Sequence, residues 1–299
     1  MRVAMVGASG LIGHAIAEKL ITDGHQIVRV GRQPSDEIFF DLSEPSPLAA
    51  DAFAGCSALV HAAGVTDEDF ADRDRAFRKA TNGATALLGA AELAGIKQLV
   101  YVSSAHVYGP LEGRIDENRP PNPVADYAVA HFATEQLFRR TGAQSSAATL
   151  VLRPCAVYGL PPSLPRFQRW SLVPFDFPRQ ALSGRIVLKS SGVQRRNFVA
   201  AESLAWLVAE WLAKPASGAT VTNAPGPAEM SIYDFARLCA KISEEETHIT
   251  CRVERQDASP SGQDLPFEYR SCHTDRTPGP ELEHHLRQFI RLLAEGAQR

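Results

Sequence analysis

Cysteine is scarce in this chain. The five residues stand at positions 56, 155, 239, 251 and 272, an odd number with no C-x-x-C among them. That spacing excludes a disulfide framework and leaves buried thiols as the plain expectation. Cys239, His248, Cys251, Cys272 and His273 match no zinc-finger spacing, so no metal is expected. Positive charge is not in excess either. The formal net charge of −3 argues against nucleic acid or an anionic membrane surface as the main partner. No apolar run approaches the length of a membrane span. The opening Met1-Arg2-Val3-Ala4-Met5-Val6 is too short for a signal-peptide core and reads as a strand, so a cytoplasmic protein is expected. Internal repeats and low-complexity tracts are also missing.

What is present is ordinary globular material. The 299 residues are 44% hydrophobic and 22% charged, enough for a large core in one or two domains. Val3–Val6, Ile27–Val30, Ala58–His61 and Leu99–Ser103 are short aliphatic runs, as in strands buried on both faces. Leu11–Thr22 and Ala84–Ala94 repeat apolar residues at helical spacing, and another strand is predicted at Ala148–Leu152. Strands alternating with helices imply an α/β fold, a Rossmann-type doubly wound parallel sheet.

The texture changes after residue 155. Gly159–Pro165 and Arg166–Arg179 read as loops, the second mixing aromatics, prolines and arginines. Helical patterns return at Ala201–Ala213, Ile232–Ile242 and Leu282–Leu293, and Asp257–Pro280 reads as a surface excursion. Residues 1–155 are thus expected to form the doubly wound core. Residues 156–299 are expected to form a smaller second lobe, with segments around 185–215 returning to the core.

Gly7-Ala8-Ser9-Gly10-Leu11-Ile12-Gly13 follows a predicted strand and opens a predicted helix. Glycines there let backbone approach a pyrophosphate, and the helix amino terminus offers free N–H groups to it. Gly7, Ser9, Gly10, Leu11, Ile12 and Gly13 are therefore candidate cofactor contacts; the bland alternative is a tight turn without a ligand. The second strand ends in Gly31-Arg32, without the acid that commonly bonds the ribose of NAD. Arg32 could instead meet a 2′-phosphate, which favours NADP over NAD. Asp41 and Leu42 are candidates beside the adenine, although Asp41 could equally cap a turn.

Further motifs follow in order: His61-Ala62-Ala63-Gly64, Asn82-Gly83-Ala84-Thr85, Ser103-Ser104-Ala105-His106-Val107-Tyr108-Gly109, Tyr127-Ala128-Val129-Ala130-His131, Arg153-Pro154-Cys155-Ala156-Val157-Tyr158-Gly159 and Arg196-Asn197-Phe198-Val199. Over nearly its whole length the chain resembles the extended short-chain dehydrogenase/reductases, in particular their nucleotide-sugar epimerases, dehydratases and reductases. The resemblance implies cofactor contacts at His61, Ala62, Ala63, Asn82, Tyr127, His131 and Pro154. It also implies catalysis by Tyr127 and Ser104, and substrate contacts at Thr66, Ala105, His106, Arg166 and Arg196. A homodimer is expected by the same analogy.

In that family a tyrosine relays a proton while hydride passes to or from nicotinamide, and a serine hydroxyl bonds the same substrate oxygen. A lysine four residues after the tyrosine stabilises its phenolate. Here no tyrosine has a lysine at that distance, and His131 takes the place. An imidazole with an ordinary pKa near 6.5 is mostly neutral at pH 7, and burial lowers it further. His131 could be charged beside an acid, could serve a reaction in which tyrosine acts mainly as an acid, or could mark a site that binds without turnover. The leading expectation is an NAD(P)-dependent oxidoreductase or epimerase acting on a sugar carbon, the substrate being a nucleotide sugar. A non-catalytic NADP(H)-binding sensor or scaffold, and a reductase of a small ketone or aldehyde, stay open as alternatives.

Overall fold

The computed structural model describes residues 1–49, 51–255, 266–274 and 277–297. In chain order the first half runs β1 (Arg2–Val6), α1 (Leu11–Thr22), β2 (Gln26–Gly31), β3 (Ile38–Phe39), β4 (Ala58–His61), α2 (Arg73–Leu93), β5 (Gln98–Val102), β6 (Gly113–Ile115), α3 (Asp126–Ser145) and β7 (Ala148–Pro154). The second half runs β8 (Ala156–Tyr158), α4 (Val173–Ala181), β9 (Arg185–Leu188), β10 (Arg195–Ala200), α5 (Ala201–Ala213), β11 (Ala219–Ala224), β12 (Ala228–Ser231), α6 (Ile232–Thr247), β13 (Arg252–Arg255), β14 (Phe267–Tyr269) and α7 (Leu282–Ala297).

Seven strands form the central sheet in the order β11-β7-β5-β4-β1-β2-β3, and every pairing in it is parallel. Parallel strands need crossover helices, which cover both faces and make the strands apolar throughout. Alternate residues of β1 divide accordingly. Val3 and Met5 pack with Ile16 and Leu20 of α1 and Leu204 and Val208 of α5. Ala4 and Val6 pack on the other side with Leu87 and Leu88 of α2 and Phe138 of α3. The chain runs outward from β1 in one direction and restarts at β4 in the other, so the crevice between their carboxyl ends is the topological switch point.

A smaller lobe gathers around Phe177, Ile186, Phe198, Phe235, Ile242, Leu286 and Ile290. Its three-stranded sheet has the order β12-β10-β8. Within the expected 185–215 it is α5 that packs on the core, against α1, and beyond it β11 extends the central sheet beside β7. Strands β9 and β10 stay in the lobe.

Three other expectations need correction. Helix α2 begins at Arg73 rather than near residue 84, capped by Asp72, whose carboxylate accepts from the Arg75 N–H at 3.0 Å. Its first turns are rich in Arg and Asp and bury only Ala76 and Ala80, so the apolar pattern there is faint. Residues 173–181, expected as loop, form α4, with Pro174 in the first turn, where a missing N–H costs nothing, and Phe175, Phe177 and Ala181 buried. The expected excursion at 257–280 includes 257–265 and 275–276, which lie outside the described residues. Its described part is tied down, because β14 pairs with β6 and buries Phe267 and Tyr269.

One polar contact joins the layers beneath the crevice. Arg153 of β7 and Glu135 of α3 form a two-pronged ion pair, Nε–Oε1 at 2.9 Å and Nη2–Oε2 at 2.6 Å, with side chains 3% and 0% exposed. The Ser103 hydroxyl donates to the same carboxylate at 2.6 Å. This contact fixes the rotation of α3 relative to β5 and β7, and with it the positions of residues 104, 127 and 131. Removing one partner strands a buried charge, so Glu135→Ala is expected to cost about 3–5 kcal/mol. Thermal unfolding would register a fall of roughly 5–15 °C; an unchanged midpoint would contradict this role.

Candidate active site

The turn after β1 is built so that backbone meets backbone. Gly7 has φ +88°, and a Cβ there would lie 2.8 Å from the Ala63 nitrogen and 2.9 Å from its Cβ. A Cβ on Gly13 would lie 2.0 Å from the Gly7 carbonyl oxygen, so α1 can seat against the turn only with glycine. Gly10 is the N-cap of α1 and supplies no side-chain cap. The first-turn N–H groups of this helix therefore face the crevice with their donor capacity and the positive end of the helix dipole.

Two cavities meet at this turn. The smaller, of about 150 Å³, is lined by Gly7, Ala8, Ser9, Gly31, Arg32, Asp36, Asp41 and Leu42, among others. The larger, of about 560 Å³, is lined by Gly10, Leu11, Ile12, Thr66, Ser104, His106, Tyr127, His131, Pro154, Arg169 and Arg196, among others. Ala63 and Gly64 line both, which makes the two a continuous cleft.

In the smaller cavity the acid missing from the end of β2 is supplied from further along the chain. The turn Gln33–Asp36 folds back, and the Asp36 carboxylate accepts from the Gln33 N–H at 2.7 Å. A Cβ on Gly31 would lie 2.6 Å from Asp36 Oδ2, so this carboxylate sits directly over the strand end. Arg32 is mostly exposed and loosely paired with Asp41 at 3.6 Å. Asp41 also accepts from the Ser43 N–H at 2.9 Å, which is the turn-capping role open to it in the sequence. Lys79 reaches the same cavity but is held by Asp69 at 2.7 Å.

In the larger cavity Tyr127 and His131 lie one helical turn apart, with ring centroids 4.5 Å from each other. His106 stands edge-on to Tyr127 at 6.0 Å. Ser104 caps the short turn Ala105–Tyr108 by accepting from the His106 N–H at 3.2 Å. Burial pushes the Tyr127 phenol up, opposed by the Ser104 hydroxyl and then by the Arg169 guanidinium.

His131 is 4% exposed, and its Nδ1 is 2.7 Å from the Tyr101 hydroxyl. Burial pushes its pKa down to about 4, so the imidazole is neutral at pH 7. Its Nε2 is buried with no hydrogen-bond partner, and Gly64 leaves the room for it: a Cβ there would lie 3.1 Å from that nitrogen. The tautomer in which the Tyr101 hydroxyl donates to Nδ1 places the imidazole proton on Nε2.

Five of the expected contacts do not line the cleft, the first being Gly13, which packs against the Gly7 turn. His61 is buried below it, stacked on Phe138 and tilted against Tyr101, with burial pushing its pKa down to about 3. Asn82 lies on the exposed side of α2, and Ala105 is fully buried in the small cluster around Tyr108 and Tyr269. Arg166 points to solvent, and Arg169, three residues on, lines the cavity in its place. No local spacing signals Asp36 or Lys79, both of which arrive from neighbouring segments.

A model of the NAD dependent epimerase/dehydratase family matches residues 3–224. The chain belongs to this family of enzymes, one of the extended short-chain dehydrogenase/reductases. It is 24% identical over 228 residues to an N-acetyl-alpha-D-glucosaminyl-diphospho-ditrans,octacis-undecaprenol 4-epimerase of Escherichia coli O157:H7, covering 74% of this chain and 66% of that one. It is 29% identical over 181 residues to a UDP-glucose 4-epimerase of Azospirillum brasilense, covering 54% and 51%. The chain thus spans between half and two-thirds of the length of these relatives. Among solved structures, MoeE5 in complex with UDP-glucose and NAD superposes with a TM-score of 0.81 at 22% identity, over 99% of this chain and 100% of that one. That likeness concerns the fold.

The neutral histidine makes a pH-dependent statement. The folded imidazole of His131 resists protonation until about pH 4, while an unfolded one protonates near its ordinary value of 6.5. Its contribution to stability is full above pH 6.5 and is lost as the pH falls from there toward 4, by about 1.4 kcal/mol per pH unit. NMR titration is expected to find this ring neutral at pH 5.5, and denaturant unfolding to find the acid slope reduced in His131→Phe. A ring that titrates at or above 6.5 would contradict the assignment.

Proposed function

We propose that this chain is an epimerase or oxidoreductase that uses a nicotinamide dinucleotide at a sugar carbon of a nucleotide sugar. The observation that carries the reading is the continuous cleft joining the uncapped N-terminus of α1 to Tyr127 and Ser104. The residues present fit a dinucleotide. The glycine cradle at Gly7 would be filled by any Cβ, and the buried Nε2 of His131 lies at the cleft wall with no side-chain partner and only the Val65 backbone near the ring. Backbone N–H groups of Ser9 to Ile12 would hold the pyrophosphate, and Ala62, Ala63 and Pro154 would border the cofactor.

The bound nicotinamide would supply hydride exchange with the sugar carbon. Tyr127 would give its phenolic proton to the substrate oxygen on that carbon, or take one from it in the opposite direction. Ser104 would bond the same oxygen and stabilise the carbonyl form. His131 would serve as an uncharged donor through Nε2, so the ribose contact of the usual lysine would pass to an imidazole. Thr66, His106 and Arg196 would face the substrate, the guanidinium suiting a diphosphate. The sugar at the diphosphate level is supported by the relatives, which are named for glycosyl-diphospho and UDP-linked substrates.

The smaller cavity changes the expected cofactor. Asp36 stands over the end of β2 as an acid that bonds ribose hydroxyls does, and a 2′-phosphate would add negative charge beside Asp36 and Asp41. Arg32 already has Asp41 as a partner. NAD is therefore preferred over NADP in this reading. A second reading, a dinucleotide-binding module without turnover, draws on the absence of charge at His131.

Assays of UDP- and dTDP-hexoses test both readings. Turnover is expected with NAD in preference to NADP, and Tyr127→Phe is expected to lower kcat at least 10²-fold, a loss typical of a missing acid–base group, on the order given for such groups. Undiminished turnover in Tyr127→Phe would refute the role of the phenol. Tight cofactor binding with no turnover across the panel would favour the second reading.

A further inference from the structure

A phenol that exchanges a proton at neutral pH needs a positive charge nearby, and His131 is neutral. Among the described residues that line the larger cavity only two carry a fixed positive charge, Arg169 and Arg196. Arg196 donates to the Arg195 carbonyl at 2.7 Å and sits on β10, toward the substrate side. Lys79 is engaged with Asp69 in the smaller cavity, and Arg73 is exposed and paired with Asp126 at 2.8 Å. Arg169 differs from all of these. Its Nε is buried without a hydrogen-bond partner, and its guanidinium acts on the Glu68 carboxylate without a direct ion pair among the described residues.

The loop that carries Arg169 is anchored rather than free. Trp170 stacks on Phe289 of α7 at 6.4 Å, and Phe167 meets Phe175 of α4 at 4.6 Å. The Ser171 hydroxyl donates to Glu68 at 2.9 Å, tying the loop to the segment that follows Thr66 across the mouth of the cleft. Arg169 is half-buried, and leaving its buried Nε without a hydrogen-bond partner is costly, which is tolerated where a charge is to be met.

We propose that Arg169 is the positioning cation for Tyr127, supplying from the loop after β8 the positive charge that residue 131 does not provide. The assignment rests on the acid–base reading of Tyr127. The groups that face this phenol are Asp67 from the turn after β4, Ser104 and His106 after β5, His131 on α3, and Arg169. Arg169 opposes the upward push of burial on the phenol, while Asp67 adds to that push. When the phenol gives its proton to the substrate oxygen, the negative charge left on the tyrosine oxygen is stabilised by the guanidinium. When it takes the proton back, that stabilisation is released. Arg169 need not touch the reacting atoms to do this.

Near-ultraviolet absorbance of phenolate, recorded against pH, tests the assignment without turnover, because wild type minus Tyr127→Phe isolates this one of the tyrosines. Arg169→Gln is expected to move that difference titration to higher pH, and Arg169→Lys to leave it close to wild type. In kinetics, Arg169→Gln is expected to lower kcat at pH 7 by about tenfold, the equivalent of one pKa unit. The basic limb of its pH profile should shift upward and KM should change little. Adding His131→Lys to Arg169→Gln is expected to recover part of kcat. An unmoved difference titration in Arg169→Gln overturns the proposal, as does a rise in KM with kcat and the pH profile intact, which would make Arg169 a substrate clamp. If turnover survives in Tyr127→Phe, the functional reading falls instead, whatever the titration shows.

Discussion

The turn after β1 and the segment after β4 touch through their main chains, and this single approach sets the geometry of everything above the sheet. With a Cβ at Gly7 only 2.8 Å from the Ala63 nitrogen, no side chain can separate them. Gly13 lets α1 close on the same turn from behind, and Gly64 lets the imidazole of His131 close on it from the side. One continuous cleft results, with helix N–H groups at its middle, acids at one end and a tyrosine at the other. Glycine is required at these points because of what must come near, rather than for flexibility.

Charge is distributed around this cleft in an unusual way. Directly below it lie neutral, stacked rings: His61, Tyr101, Phe138 and His131, with burial holding both imidazoles uncharged. The fixed charges approach instead from the periphery, on segments that fold over the strand ends: Asp36, Asp67, Arg169 and Arg196. An ion pair between Glu135 and Arg153 is buried beneath, but it is satisfied within itself and by Ser103. The base of the site is thus apolar and stiff, and its electrostatics come from loops.

This distribution explains what could be read from the sequence. The glycine turn, the strand–helix alternation, Ser104 and the Tyr127–His131 pair all depend on local spacing, and local spacing survives in a linear string. A residue at a strand end can point to either side, and His61 points into the core. Asn82 lay inside a helix whose polar first turns hid its start. Asp36 was beyond reach for a different reason, and among the arginines of the 166–179 segment local spacing does not single out Arg169. Each enters the cleft only because a turn reverses or an aromatic cluster pins a loop, and both are tertiary events. The prolines at 174 and 178, which suggested a loop, are carried by a short helix buried on one side.

The neutral floor also bears on why an imidazole could stand in place of a lysine. An ammonium at that depth would need a partner, and the neighbouring Tyr101 hydroxyl offers only a weak one. A histidine gives a hydrogen-bond donor without a charge, and leaves the charge to be brought by a residue nearer to solvent. The most direct measurement of the central claim, that the glycine-backed cleft receives a dinucleotide, is a fluorescence titration of NADH into the wild type and into Gly7→Val. Saturable binding to the wild type, lost in a variant that keeps its circular dichroism, is the expected result. No binding to the wild type, or equal binding to both, would contradict the account.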